Sequence, residues 1–160
     1  MPTSNDAPGQ SIATWWRRLS PLPGGRALFS MLIGRMAPYT GSIGARALEL
    51  SPGHSRWQMR DRRRLRNHLR SLHAIALANL AEVASGTAML MALPAGTRGI
   101  VTGLSVTYLK KARGTVIAEC NCRLPEIGGE LPFDVQADVT DATGDVVARA
   151  TVTWLLRRER

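Results

Sequence analysis

Glu82 sits in "SLHAIALANLAEVASGTAML", residues 71–90, a stretch otherwise so apolar that it reads as a helix surrounded by protein. The same stretch carries His73 near its head and Asn79 one turn before Glu82, and Asn67 and His68 precede it in a basic loop. A carboxylate in apolar surroundings resists ionisation, which moves its pKa toward the range useful for a general base. It can attack an activated carbonyl directly or take a proton from water. The head of such a helix supplies the complement. Its first backbone N–H groups lack intrahelical acceptors, and the helix dipole favours negative charge there. One donor aimed at a developing oxyanion is worth ~3–4 kcal/mol. Carboxylate and helix head together suit hydrolysis of an activated carbonyl group.

The other polar residues of the stretch have plainer readings beside the chemical ones. Glu82 itself could be a buried structural carboxylate paired with an arginine or hydrogen-bonded through water. Asn79 lines a substrate slot or, by preference, bonds to backbone, and for Ser85 and Thr87 a substrate and a neighbouring carbonyl are equally open. His73 reads as a hydrogen bonder at the helix start rather than a base, and Ser71 as the N-cap. Gly86 suits close packing of the helix on another backbone. Cys120 and Cys122 are two apart on a strand, ~7 Å from each other, and read as packed thiols. No metal site and no cofactor is expected.

The elements that must position these residues follow from length, charge and period. The chain has 160 residues, 44% of them apolar, which fits one domain with a proper core. The longest candidate for a membrane span, "ALFSMLIGRMAPY", is cut by Arg35 and stopped by Pro38. "MPTSNDAPGQSIATWWRRLS" lacks the order of a secretory signal, so the expectation is a cytoplasmic protein without a transmembrane segment. The net charge of +9 calls for an anionic partner: nucleic acid, acidic lipid or a phosphate-bearing metabolite. Much of it lies in "RDRRRLRNHLR" (60–70), "KKAR" (110–113) and "RRER" (157–160).

Residues 1–23, rich in Pro, Gly, Ser and Thr, read as a loose arm that Trp15 and Trp16 pin to a single domain over 24–160. Leu28, Met31, Leu32 and Met36 recur at helical spacing and predict a short amphipathic helix over 26–37. Alternation in "GARALEL" and "RWQMR" around the turn "SPGH" predicts a hairpin, with Ala45, Ala47 and Glu49 on one face of its first strand. The helix of about 71–90 comes next. Period two then returns in 99–109, 114–124, 131–140 and 145–156, four strands divided by short turns. The fold class is α+β: a curved antiparallel sheet of about six strands wrapped around one long helix.

The order β-β-α-β-β-β-β with an apolar central helix resembles the hotdog fold. Asn67, six residues before His73, with Glu82 nine residues after it, resembles the Asn…His-Gly-Gly…Asp/Glu pattern of the PaaI-like acyl-CoA thioesterases. "DVTDATGDVVARATVTWLLR" is similar to their last hairpin, and "YLKKARG" to their segment that meets coenzyme A. The likeness spans about residues 40–157. It implies Glu82 as catalytic carboxylate, Asn67 as the side chain orienting the nucleophile or water, and the Ala74 N–H, just after His73, as the donor to the thioester carbonyl. It further implies a homodimer, possibly a tetramer, with Asn67 and Ala74 from one chain and Glu82 from the other. Lys110, Lys111 and Arg113 would clamp the phosphates of coenzyme A, which enters as part of an acyl-CoA substrate.

The chain departs from that pattern at Ala74-Ile75, where Gly-Gly is expected, and at Arg70, where glycine is common. The departure motivates an alternative: a hotdog dimer that binds acyl-CoA or a lipid without turnover. A nucleic-acid-binding domain is a weaker rival, since the 60–70 run has only Trp57 nearby for stacking and that residue fits the strand pattern.

Overall fold

The computed structural model describes residues 8–158. Three helices come first: α1 (Pro8–Leu19), α2 (Gly25–Met36) and α3 (Pro38–Ser42). The hairpin β1 (Arg46–Ser51) and β2 (His54–Met59) follows, then a 3-10 turn at Arg63–Leu65. The long helix α4 (Ala74–Ala92) leads into β3 (Thr97–Tyr108), β4 (Val116–Asn121), β5 (Glu130–Thr140) and β6 (Val146–Arg158). All six strands form one antiparallel sheet in the order β1-β2-β4-β5-β6-β3, curved around α4. This is the hotdog fold. β3 leaves α4 at one edge of the sheet, and the chain crosses β5 and β6 before β4 takes its place beside β2.

The core lies between the concave sheet face and α4. Val135, Ala137 and Val139 of β5 and Ala148, Ala150, Val152 and Trp154 of β6 point inward, as their alternation predicts. In β1 the alternation breaks. A bulge at Leu48 pairs Ala47 with Trp57 and Glu49 with Arg56, so Leu50 rather than Glu49 shares the buried face with Ala47. Helix α4 is long and apolar enough to cross a bilayer, but 72% of that window is buried inside the domain. Its apolarity belongs to the core.

Two boundaries differ from the sequence reading. The loose arm expected over 1–23 is helical from Pro8, and residues 1–7 lie outside the described part. Helix α1 packs against the body through Trp15, Trp16 and Leu19. Ile12 is buried, Trp16 stacks edge-on to Phe29 at 5.1 Å, and Gly9 lets the helix approach the Leu90 carbonyl closer than any side chain would allow. Helix α4 starts three residues after Ser71, with His73 as N-cap, its ring Nδ1 accepting from the Ile75 N–H at 3.1 Å. Ser71 is spent on the loop instead: its hydroxyl donates to Asn67 Oδ1 at 3.1 Å. Gly86 faces an aromatic ring rather than backbone, since a Cβ there would sit 3.3 Å from Trp154.

Candidate functional site at the head of the central helix

The segment before α4 is a tight loop organised by Asn67. The Asn67 side-chain carbonyl accepts from the Leu69 N–H at 2.9 Å, the Ser71 N–H at 3.2 Å and the Ser71 hydroxyl. That saturates the oxygen and leaves the amide hydrogens on Nδ2 as the group able to reach outward. Arg70 closes the loop with a left-handed φ of 55°, the conformation glycine adopts without strain. Leu72 donates to the Ala112 carbonyl and His73 to the Leu65 carbonyl, each at 2.8 Å, so the helix head is held from both sides. Asp61 braces the same region. Its carboxylate takes Arg66 Nε at 2.6 Å and the Gly114 N–H at 3.0 Å, which holds its pKa below the ordinary carboxylate value.

The Ala74 N–H, first in the helix, has no acceptor among the described residues. Beside it opens a cleft of ≈360 Å³ whose lining includes Asn67, Ser71, Ala74, Leu77, Tyr108 and Lys111. Asn67, Ala74, Lys110 and Lys111, named from sequence, are thus brought to one place. Tyr108 was not singled out. Its hydroxyl donates to the Ala74 carbonyl at 3.0 Å, and only its position just before the lysines marked it.

The other candidates lie elsewhere. Glu82 is eight residues beyond Ala74 on the same helix, about 12 Å along the axis. It is half-buried and has no ion-pair or hydrogen-bond partner for its carboxylate among the described residues, and burial raises its pKa. The paired-carboxylate reading therefore does not describe it. Asn79 is buried and donates to the Tyr39 carbonyl at 3.1 Å, the backbone role preferred for it. Ser85 is buried too, its hydroxyl donating to the Glu82 carbonyl at 2.9 Å. Lys110 reaches the rim of the cleft, but its ammonium is held between Asp141 at 2.8 Å and Asp145 at 2.6 Å. Lys111 and Arg113 are exposed and carry no such carboxylates, and Arg113 stands outside the cleft. Trp57, the aromatic nearest the arginine run, is buried and donates its Nε1–H to Thr87, so it offers no stacking surface to a base.

The family model described as "Domain of unknown function (DUF4442)" matches residues 25–156. The crystal structure of the genomics target APC5556 is 33% identical over 94% of this chain and 97% of that one, with a TM-score of 0.81. A Pseudomonas aeruginosa protein named "Probable Thioesterase" is 26% identical over 86% of this chain and 97% of its own, with a TM-score of 0.74. The phenylacetic acid degradation protein PaaI from Thermus thermophilus, 20% identical over 74% of this chain and 97% of its own, has the same fold at a TM-score of 0.63. No curated protein matches the chain.

Proposed function

The chain belongs to the DUF4442 family, and on that footing we propose that it hydrolyses an acyl-CoA thioester at a site built by two subunits. The thioesterase names carried by similar structures support the reaction class. The observation that carries the reading is the pair of unspent groups on α4: a helix-head N–H opening on a cleft, and a half-buried carboxylate without a partner. Within one chain they are about 12 Å apart, too far to act on one carbonyl. Two copies related by a two-fold axis bring one subunit's Ala74 opposite the partner subunit's Glu82. The edge strand β3 supports such pairing, with no described strand beside it along 99–108 and with Ile100 and Leu104 exposed.

In this arrangement the thioester oxygen accepts the Ala74 N–H, and the Asn67 amide donates to the attacking water. The carboxylate of Glu82 takes the proton from that water, or attacks the carbonyl carbon itself to give a mixed anhydride that the water then opens. The tetrahedral oxyanion is held at the positive end of α4, and the coenzyme A thiolate leaves. Lys111 and Arg113 are the cations free to meet its phosphates, while Lys110 holds the hairpin loop beside them.

The test is a panel of acyl-CoAs with a thiol-detecting dye, run on wild type and Glu82→Gln. The wild type is expected to release free coenzyme A, and the variant to lose at least roughly a hundredfold in kcat with acyl-CoA binding retained. Equal turnover by both removes Glu82 from the chemistry. Binding without turnover by the wild type makes the protein an acyl-CoA carrier.

A further inference from the structure

Helix α2 is apolar on both of its faces. Phe29 and Ile33 turn inward and are buried. Of the stripe that predicts the helix, Leu28 and Met31 turn away from them, 43% and 53% exposed, Leu32 is half-buried, and Met36 at the helix end is 56% exposed. Tyr39, next along the chain, is 68% exposed. A soluble helix keeps its apolar residues on the face it buries. Here Leu28, Met31 and Met36 lie open, and exposed apolar side chains clustered on one short helix mark an interaction site.

The surroundings of that face are basic. A cleft of ≈740 Å³ separates α2 and α3 from the β1–β2 hairpin, and its lining holds Arg35, Arg46, Arg60 and Arg62 beside Met31, with no carboxylate. Its floor is drawn tight by the backbone contact of Gly34 with Gly41, where a Cβ on either would clash. The Arg62 and Arg64 guanidinium groups converge on Gly44, 2.8 Å and 3.4 Å from where a Cβ would stand. None of these arginines has an acidic partner among the described residues. Asp61, between Arg60 and Arg62 in sequence, is turned away to Arg66 and Gly114.

We propose that α2, α3 and the arginine-lined cleft form a docking surface for an anionic lipid bilayer, with lipid phosphates seated among Arg35, Arg46, Arg60 and Arg62. Exposed Leu and Met side chains ringed by arginine are the composition of an interfacial helix, where apolar insertion and attraction to acidic headgroups add. Charge separates this occupant from the others. A second copy docked through the same face would press two unneutralised arginine clusters together. A nucleic acid would neutralise the arginines but leave Leu28, Met31 and Met36 in water.

The test is flotation of the full chain with two kinds of vesicle, pure phosphatidylcholine and phosphatidylcholine with phosphatidylglycerol in a two-to-one ratio. It needs no turnover, so it stands apart from the thioesterase reading. Wild type is expected to float with the mixed vesicles, not with the neutral ones, and to be released by high salt. Arg60→Gln/Arg62→Gln is expected to lower partitioning roughly twenty-fivefold, about fivefold per charge. Met31→Ser/Met36→Ser is expected to lower it at least tenfold, by loss of roughly two buried side chains. All these residues are exposed or line the cleft rim, so melting curves like the wild type's separate lost docking from lost folding. The proposal is overturned if the wild type ignores the mixed vesicles or floats equally with both, or if either variant binds like the wild type. It is also overturned if, without lipid, the serine pair lowers the mass in sedimentation, because the face then joins copies of the chain.

Discussion

The Tyr108 hydroxyl donates to the Ala74 carbonyl at 3.0 Å, tying the end of edge strand β3 to the first residue of α4. The residue whose N–H faces the cleft is therefore held from its other end by the strand proposed to meet a second subunit. Burial raises the Tyr108 pKa, so the phenol keeps its proton and stays a donor throughout the neutral range. Tyr108→Phe removes one hydrogen bond worth about 1 kcal/mol. The expected result is a kcat roughly fivefold lower with little change in KM, read by steady-state kinetics on the best acyl-CoA.

Glu82 sets a pH dependence in two measurements. Burial lifts its pKa above the ordinary 4.5, and a base or nucleophile works only when ionised, so kcat/KM should climb with pH through a midpoint above 4.5. For stability the sign is opposite to that of a salt-bridged carboxylate. The folded state holds the proton more tightly than the unfolded one, so Glu82 costs nothing below the unfolded pKa and destabilises as pH rises through the folded value. Denaturant midpoints of Glu82→Gln relative to wild type should therefore rise between acidic and neutral pH. A constant difference would mean that the carboxylate is not desolvated.

Most of the architecture was legible because each strand alternates and α4 does not: Phe133 to Val139 and Ala148 to Trp154 announce their inner faces by type alone. The bulge at Leu48 was hidden, since strict alternation puts Ala47 and Leu50 on opposite faces and only the pairing of Glu49 with Arg56 shows that both turn in. Helix α1 was hidden by its Pro, Gly and Ser, because its stability comes from Trp16 on Phe29 and from close contact with α4 rather than from propensity. In the site, the resemblance to the thioesterase pattern named Asn67 and Ala74, and the fold sets both at one cleft. The capture of Lys110 by Asp141 and Asp145 could not be read from the chain, for those residues meet only when β3 and the β5–β6 turn are folded side by side.

That capture has its own pH window. Hydrogen bonds from Lys110 depress the pKa of Asp141 and Asp145 below the ordinary 3.8, and the two carboxylates raise Lys110 above 10.5. The acids contribute above their unfolded pKa and lose the contribution as pH falls through the folded value; the lysine contributes below its unfolded pKa and loses it as pH rises through the folded one. Lys110→Met should thus lower Tm slightly at neutral pH, and the gap from wild type should close at the acidic extreme. Lys110 and Asp145 are exposed, so added salt should shrink the gap as well.

Thr87 accepts the Trp57 Nε1–H at 2.9 Å inside the core, while its own hydroxyl donates back to the Val83 carbonyl at 2.7 Å. Thr87→Val keeps the shape and removes the acceptor, leaving a buried indole N–H unpaired at a cost of about 1–3 kcal/mol. Thr87→Ser keeps the hydroxyl and loses only a methyl, about 1 kcal/mol. Urea unfolding of the two variants should rank valine below serine. The reverse order would show that packing at this position outweighs the hydrogen bond.

The strongest demand on the proposed site falls on β3. Eleven of its twelve residues pair with β6, with a bulge at Thr102, and along 99–108 no described strand takes up its other side, where Ile100 and Leu104 stand exposed. If two such edges join, one subunit's Ala74 meets the partner subunit's Glu82, and the reaction belongs to the dimer. Leu104→Arg places like charges against each other in the seam and should yield a folded monomer in sedimentation, with turnover falling by roughly the hundredfold assigned to Glu82. Mixing Glu82→Gln with Ala74→Pro, each inactive alone because one lacks the carboxylate and the other the N–H, should then restore activity through mixed dimers carrying one intact site. A folded Leu104→Arg monomer with full activity would place the whole reaction within a single chain, and Glu82, about 12 Å from Ala74, could no longer be its base.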